Sequence, residues 1–371
     1  MIVAESPATG RQRAAFHLLR VSAIDRLTDD SAAVSFEVPR HLRDEFSFAA
    51  GQHLAIRATI AGDDIRRNYS ICAPAGSGLL RIGVKRLPDG VFSSYALDRL
   101  QVGDSLEVLS PSGTFGTQFD PLQARHYGAV AAGSGITPIL SILASALAAE
   151  PGSRATLIFV NATSRSIMFL EDLEDLKNRY LGRLQIVHVL SRETQDAELL
   201  SGRLDAERLT GLLDSLCVDG SGKLTVDDWF LCGPLPLTDL VRDTLVERGT
   251  DPQHIHRELF HADALPPRAA VAREQSREDG FEVTVVLDGR TTEFTMSPDA
   301  DSVLDAARLL RSEIPFACKN GVCGTCRCKL VSGTVEMAQN YALEADEVER
   351  GYVLACQSYP TSDSIVVDFD Q

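Results

Sequence analysis

Residues 315–330 read PFACKNGVCGTCRCKL, and this cysteine-rich loop decides how the C-terminal part of the chain folds. Four residues separate Cys318 from Cys323, two separate Cys323 from Cys326, and 29 separate Cys326 from Cys356. A C-x4-C-x2-C loop with one distant cysteine is the plant-type [2Fe-2S] spacing, in which four thiolates hold two irons. The sequence therefore predicts a [2Fe-2S] metal site on these four cysteines.

The rest of the loop supports a cluster more than a zinc ion. Gly321 and Gly324 allow the backbone to curl and to direct N–H groups at sulfur. A structural zinc site, the alternative, prefers two paired CxxC or CxxH units. Cys328 follows Cys326 by two residues and would point to the same face of a strand. We interpret it as an ordinary buried thiol, with a ligand exchange as the other possibility.

Size and charge limit the kinds of partner. The chain has 371 residues, which predicts two or three domains, and a formal net charge of −16. Such acidity argues against binding to nucleic acid phosphates or to an anionic membrane surface. The N-terminus lacks the features of a secretory signal, and the apolar stretch at 128–149 is interrupted by Gly, Ser, Thr and Pro. We therefore expect a cytoplasmic protein with no nucleic acid and no membrane partner.

The rhythm of apolar residues changes along the chain and predicts a multidomain fold. Residues 14–119 show short alternating runs between Gly, Pro and Asp turns, which is typical of an antiparallel β-barrel. Residues 120–262 alternate apolar strands with helices, which indicates an α/β domain with a parallel sheet. Residues 263–279 are polar and contain proline, as in a linker, and 280–371 form the domain of the cysteine loop.

A flavin site is indicated in the first domain. A flavin needs a cation for its pyrophosphate, an aromatic ring for stacking and a hydroxyl near its ring nitrogens. Arg67, Tyr69 and Ser70 supply these three groups in one short run. Later turns could bring backbone N–H groups or a cation to phosphate oxygens, and they contain Val84, Lys85, Gly90, Val91 and Ser93. Taken alone, these turns could equally be plain barrel turns with surface charges.

A nucleotide site is indicated in the second domain. A glycine-rich loop joins its first strand to a helix, whose N-terminus favours phosphate, although the loop is not a GxGxxG sequence. A second segment lies where the strand DWFL ends, at the edge where α/β domains bind ligands. The candidate residues of the two segments are Gly133, Gly135, Thr137, Pro138, Cys232, Gly233 and Pro234. A plain βα turn is the alternative for the first segment.

One more segment, RELF at 257–260, offers groups that could reach a flavin. Glu258 supplies a carboxylate and Phe260 an aromatic ring. The competing interpretation is the end of a core strand.

In this order the motifs resemble the ferredoxin-NADP reductase superfamily with a plant-type ferredoxin fused behind it. The resemblance spans nearly the whole chain and implies an FAD-binding barrel, an NAD(P)-binding domain and a β-grasp [2Fe-2S] domain. It further implies an enzyme that passes electrons from NADPH or NADH through FAD to the cluster.

The resemblance also implies roles for individual residues. Arg67, Tyr69 and Ser70 would hold FAD, 90–93 its pyrophosphate, and Thr137 and Cys232 would flank the nicotinamide. Glu258 and Phe260 would close the flavin pocket, and the implied catalytic residues are Ser70, Cys232 and Glu258.

One departure from the family concerns the choice of nucleotide. Where the family often has a GNRT-like turn, this chain reads Val160-Asn161-Ala162-Thr163, so the arginine for a 2′-phosphate is absent. Ser164 and Arg165 follow directly and are the candidates to replace it. We expect NADPH, with NADH as the alternative.

More narrowly, NYALEADEVERGYVLACQ at 340–357 and RRNYSIC at 66–72 resemble the reductase components of phenylacetyl-CoA epoxidases. This resemblance implies that a multi-subunit, diiron oxygenase of phenylacetate degradation accepts the electrons. The reductase of a 3-ketosteroid 9α-hydroxylase or of an aromatic-ring dioxygenase would share every cofactor motif. An alternative of another class is a non-catalytic iron-sulfur redox sensor or scaffold.

Overall fold

A computed structural model of the chain describes residues 16–260, 280–343 and 345–371. They belong to two compact units, one within His17–Leu265 and one within Pro266–Gln371. The predicted linker at 263–279 lies outside the described residues. Among the helices described, none has the length and apolar character needed to cross a bilayer.

The first sheet is the predicted antiparallel barrel. Its strands are β1 Phe16–Thr28, β2 Ser31–Glu37, β3 His53–Ile60, β4 Asp63–Ser70, β5 Leu80–Lys85 and β6 Ser105–Leu109. They lie in the order β4-β3-β6-β1-β2-β5. Ile71, just past β4, bridges to Ile82 of β5 and brings the two edges of the sheet together. Leu54 and Ile56 alternate into the interior and are fully buried there.

Residues 90–93 differ from their interpretation as a barrel turn. They begin a helix, α1 Val91–Asp98, with Gly90 as its N-cap and no capping side chain. Phe92 and Ala96, one helical turn apart, are buried against the barrel, and this packing favours the helix. The backbone N–H groups of its first turn are therefore presented at this end of the barrel.

The second sheet is parallel, as predicted. Its strands are β7 His126–Ala132, β8 Arg154–Asn161, β9 Leu184–Leu190, β10 Asp228–Cys232 and β11 Ile255–Glu258. They lie in the order β11-β10-β7-β8-β9, so the direction of winding reverses between β7 and β10. The helices are α2 Ile136–Ala149, α3 Leu170–Arg179, α4 Ala206–Leu216 and α5 Leu235–Glu247. Ligands of open α/β sheets bind at such a switch point, outside the carboxyl ends of the strands.

The barrel and the parallel sheet pack together within one unit. Ala33, Cys72 and Phe115 of the barrel region lie in the same hydrophobic cluster as the buried side of α2. The hydroxyl of Ser141 on α2 donates to the carbonyl of Ala73 at 2.7 Å. The two regions thus share a core, and the domain boundaries at 14–119, 120–262 and 280–371 stay predictions.

The second unit contains a mixed sheet with a helix, as a β-grasp domain has. The strands are β12 Phe281–Leu287, β13 Arg290–Met296, β14 Arg327–Ser332, β15 Val335–Met337, β16 Tyr352–Leu354, β17 Ser358–Pro360 and β18 Ser364–Asp368, and the helices are α6 Val303–Arg308 and α7 Ala345–Glu349. The main sheet has the order β13-β12-β18-β14-β16, and β15 pairs with β17. Asp288 and Gly289 have φ of 56° and 66°, and they form the tight turn between β12 and β13.

Buried histidines should make the first unit sensitive to acid. Burial lowers the pKa of His126 from 6.5 to about 4, while its ring contacts the hydroxyls of Thr225 and Thr156. The unfolded chain then binds more protons between pH 6.5 and 4, so the free energy of unfolding falls as the pH falls through that window. In urea unfolding from pH 7 to 4.5, H126Q should lose less stability than wild type, and a variant of exposed His41, H41Q, should follow wild type. If the free energy of unfolding depends on pH to the same extent in wild type and in H126Q, protonation of His126 is not the cause of the acid sensitivity.

Candidate functional site

The predicted flavin residues lie together at the end of β4. The Tyr69 ring packs on Phe92 with 5.4 Å between ring centroids, and burial raises the pKa of the Tyr69 phenol. Arg67 is exposed, and its guanidinium donates to the carbonyl of Arg66 at 2.7 Å. Ser70 is buried at the strand end. An aromatic ring, an exposed cation and a hydroxyl are therefore available side by side, which fits a flavin.

The three residues expected to be catalytic meet, although 188 positions separate the first from the last. The hydroxyl of Ser70 donates to Oε2 of Glu258 at 2.9 Å. Cys232 pairs with Glu258 across β10 and β11 and is fully buried. Burial raises the pKa of the Cys232 thiol, and the Glu258 carboxylate raises it further. A hydroxyl, a neutral thiol and a carboxylate thus converge between barrel and sheet.

The loops after β7 and β10 approach each other so closely that only glycine fits. A Cβ on Gly135 would lie 2.2 Å from the carbonyl oxygen of Cys232, and one on Gly233 would lie 3.0 Å from Cβ of Ala132. Gly133 has φ of +53°, and a Cβ there would meet open space. No side chain caps α2. Open space beside an uncapped helix N-terminus suits a phosphate group.

Two further nucleotide-loop candidates have structural contacts. Thr137 is buried, its hydroxyl donates to the carbonyl of Ser134 at 3.1 Å, and its methyl group packs close to Gly83. Pro138 is buried in the first turn of α2. Pro234, by contrast, is the exposed N-cap of α5.

The remaining barrel candidates contribute mainly backbone. Val84 is fully buried, so only its main chain can face a ligand. Nζ of Lys85 lies 3.6 Å from a carboxylate oxygen of Asp30. The Ser93 hydroxyl donates to the Gly90 carbonyl, and Val91 is exposed at the start of α1. Phe260 is half-buried against the shared core.

Arg165 lines a separate cleft. The cleft has a volume of about 710 Å³ and lies between Arg165 and residues 26–29, the end of β1 and the first residue after it, which include Arg26 and Asp29. The neighbouring Ser164 donates from both its backbone N–H and its hydroxyl to Oε2 of Glu193, at 2.7 and 3.0 Å. Two arginines and two carboxylates therefore surround this region.

The four predicted cluster ligands form two pairs of thiols, Cys318 with Cys323 and Cys326 with Cys356. The Cys323 thiol donates to Cys318 and lowers the pKa of Cys318 to about 7. The Cys326 thiol likewise lowers the pKa of Cys356. Among the described residues no three or more His, Cys, Asp or Glu side chains are placed to hold one common metal ion. Two pairs match a cluster of two irons with two thiolates each.

The backbone of the loop is directed at these sulfurs. The N–H of Asn320 donates to Cys318 Sγ at 3.3 Å, and the N–H of Gly321 points at Cys356. Lys319, Gly321 and Gly324 have φ of 57°, 73° and 66°, the left-handed conformation that the curl requires. These donors fit a negatively charged cluster, because hydrogen bonds to its sulfurs stabilise the charge.

One residue of the site was missed from the sequence. His53, at the start of β3, is buried and pairs in register with Ser70. Its Nδ1 lies 4.0 Å from Oε1 of Glu258, and its Nε2 lies 3.3 Å from the hydroxyl of Ser112. No motif marks a single histidine in a strand. The signal that could have located it is the pairing of β3 with β4. If the hairpin turns at Ala61-Gly62, residue 53 lies opposite residue 70.

Cys328 provides a test of the ligand set. It is fully buried, its thiol faces the Val353 carbonyl at 3.8 Å, and burial raises its pKa. We expect C328A to keep two irons and the visible spectrum of the cluster, whereas the matched variant C326A loses both, because only Cys326 shares a pair with Cys356. Iron content and electron paramagnetic resonance of the purified, dithionite-reduced proteins measure this. Loss of iron from C328A together with retention in C326A would reverse the assignment.

Comparisons with known proteins match all three regions. The oxidoreductase FAD-binding domain family matches residues 18–116, and the oxidoreductase NAD-binding domain family matches 129–243. The 2Fe-2S iron-sulfur cluster binding domain family matches 285–361. The phthalate dioxygenase reductase structure aligns over 95% of this chain and 98% of its own, with a TM-score of 0.59 and 24% identity, which shows the shared fold.

Two curated relatives extend over nearly the full length. The E component of the 1,2-phenylacetyl-CoA epoxidase of Escherichia coli K12 is 42% identical over 355 residues, 96% of this chain and 98% of that protein. The ferredoxin reductase component of the 3-ketosteroid-9-alpha-monooxygenase of Rhodococcus rhodochrous is 32% identical over 361 residues, 95% of this chain and 96% of that protein. The chain therefore belongs to the family of NAD(P)H-dependent oxygenase reductases that join FAD-binding, NAD-binding and [2Fe-2S] domains in one polypeptide.

Proposed function

We propose that this chain is the reductase of a multi-subunit, diiron phenylacetyl-CoA epoxidase in phenylacetate degradation. The observation that carries the proposal is the 42% identity to the E component of the Escherichia coli epoxidase over nearly the whole of both chains, against 32% for the steroid-monooxygenase component. The converging Ser70, Cys232 and Glu258 support a working hydride-transfer site.

The roles of the site residues follow from their positions. When bound, FAD supplies hydride acceptance from NAD(P)H, and the cluster supplies single-electron transfer. Arg67 and the start of α1 offer positive charge and N–H groups to the pyrophosphate. Tyr69 would offer a stacking face to the flavin, and Ser70 would offer its hydroxyl to the ring. Cys232 and Glu258 would hold the nicotinamide, and the shared core beside them would exclude water.

Two alternatives differ in what supports them. The reductase of a 3-ketosteroid 9α-hydroxylase or of an aromatic-ring dioxygenase is supported by the Rhodococcus relative and by the phthalate dioxygenase reductase fold. It would use the same residues with another electron acceptor. A non-catalytic iron-sulfur sensor does not agree with the matched FAD- and NAD-binding domains.

We further propose that NADPH is the donor and that Arg165 and Arg26 contact its 2′-phosphate in the cleft, while Glu193 opposes it. R165A should lower kcat/KM for NADPH about tenfold and leave that for NADH nearly unchanged, since one charge-assisted contact is lost. E193Q is the matched variant, and it removes a negative charge beside the proposed 2′-phosphate. It should therefore raise the ratio of kcat/KM for NADPH to kcat/KM for NADH. Steady-state reduction of ferricyanide by the holoprotein measures both. Equal losses with the two nucleotides in R165A would show that the arginine does not read the phosphate.

The acceptor can be identified directly. The holoprotein should reduce a purified phenylacetyl-CoA epoxidase at least about tenfold faster than a Rieske oxygenase, with NADPH oxidation that depends on phenylacetyl-CoA.

Residues 280–371 hold 15 Asp and Glu against 7 Lys and Arg, a net charge of −8. A basic docking patch on the oxygenase would then make the rate fall as salt is raised above about 0.1 M. Preference for the Rieske protein would favour the alternative acceptor, and slower reduction at low salt than at high would exclude docking by this charge.

A further inference from the structure

A buried glutamine lies directly beside the last of the four expected cluster ligands. Gln357 follows Cys356 in the sequence and is 5% exposed. Its Nε2 donates to Cys356 Sγ at 3.6 Å and to the carbonyl of Lys319 at 2.8 Å. A side-chain amide carries two N–H donors, so both hydrogens of this amide are used. A carbonyl can only accept, and the bond to Lys319 therefore identifies the amide atom that faces the sulfur as the nitrogen.

The Gln357 amide connects the two thiol pairs of the site. Cys356 belongs to one pair, and Lys319 directly follows Cys318, which belongs to the other. Lys319 has φ of 57°, a left-handed conformation that residues with a side chain rarely adopt. Its Nζ is bound to Oδ1 of Asp305 at 2.5 Å, and its carbonyl is bound to Gln357. These two contacts hold the strained residue that shapes the loop beside Cys318.

The loop also packs closely on this glutamine. A Cβ on Gly321, where φ is +73°, would lie 3.1 Å from Cγ of Gln357. The N–H of Gly321 points at Cys356, so this sulfur faces one donor from the backbone and one from a side chain. Because Gln357 is buried, water competes little with its bond to sulfur, and the bond is stronger than it would be at the surface.

An N–H group that faces a cluster sulfur acts on the reduction potential. One-electron reduction adds one negative charge to a [2Fe-2S] cluster, and no covalent bond to the protein forms or breaks. A hydrogen bond to a ligand sulfur stabilises that added charge and therefore raises the reduction potential. A higher potential at the cluster favours the transfer of an electron from reduced FAD.

We propose that Gln357 is a positioning residue that raises the reduction potential of the cluster through its bond to Cys356, while it holds the Lys319 carbonyl in place. The proposal rests on the set of four cluster ligands expected above. It concerns the uptake of an electron from the flavin and is independent of which oxygenase receives that electron.

The midpoint potential of the cluster tests this role. Q357M keeps the length of the side chain and removes both donors, so the equilibrium constant for one-electron reduction should fall about tenfold, a decrease of ~59 mV. Q339M is the matched control and should keep the wild-type midpoint. The Gln339 carbonyl also lies beside Gly321, but no bond joins its side chain to a cluster ligand among the described residues.

Titration of the holoproteins with dithionite and redox mediators, followed by electron paramagnetic resonance, measures the midpoint. A wild-type midpoint in Q357M with two irons bound would overturn the proposal. A merely structural glutamine would change the iron content and leave the potential of the intact cluster unchanged.

A second measurement does not require that Q357M bind a cluster. In holoprotein labelled with 15N in its glutamine side chains, pulsed electron paramagnetic resonance of the dithionite-reduced cluster should detect coupling to a side-chain nitrogen. The coupling should persist in Q339M and should be absent from Q357M if that variant retains its iron. Absence of the coupling in wild type would show that no glutamine amide contacts the cluster and would overturn the proposal, whatever the fate of Q357M.

These results separate the role of Gln357 from the ligand set and from the proposed electron acceptor. If wild type holds two irons and shows no amide coupling, only the role of Gln357 is wrong. If wild type binds no [2Fe-2S] cluster, the ligand set itself is wrong. Both measurements use dithionite and no oxygenase, so a different electron acceptor would leave them unchanged.

Discussion

Two backbone loops meet at the carboxyl end of the parallel sheet, where Gly135 lies against the carbonyl of Cys232 with no space for a side chain. This contact holds β7 and β10 side by side at the switch point of the sheet. It positions the N-terminus of α2 next to the backbone of the buried Cys232. Glu258 is then paired beside Cys232, within reach of Ser70 from the barrel. A side chain at position 135 would therefore disturb the proposed phosphate loop and the proposed hydride-transfer residues at the same time.

The sequence was informative where the chemistry depends on local spacing. The C-x4-C-x2-C loop and the strand and helix rhythm of the parallel sheet are each encoded by residues that lie close together in the sequence. What it did not reveal depends on contacts between distant segments. The helix that begins at Val91 forms because Phe92 is buried against the barrel, and His53 joins the site because the β3–β4 hairpin places it opposite Ser70.

The two redox centres are surrounded by different kinds of polar group. Around Ser70, Cys232 and His53, burial keeps the thiol and the imidazole neutral, and Glu258 supplies the negative charge. Around Cys318 and Cys356, backbone N–H groups face sulfurs whose pKa values are lowered. The first environment suits the transfer of hydride and protons, whereas the second suits storage of negative charge without proton uptake.

The hydrophobic cluster shared by barrel and parallel sheet also bears on how such chains can be assembled in evolution. Because Ala33, Cys72 and Phe115 pack in one core with α2, a genetic cut between the FAD and nucleotide regions would expose apolar surface on both pieces. The cysteine-loop unit has a separate core of its own, around Val285 and Leu304. The unit within His17–Leu265 therefore has to be kept as a single block to stay folded, whereas the unit that contains the cysteine loop keeps its core intact if it is separated from that block.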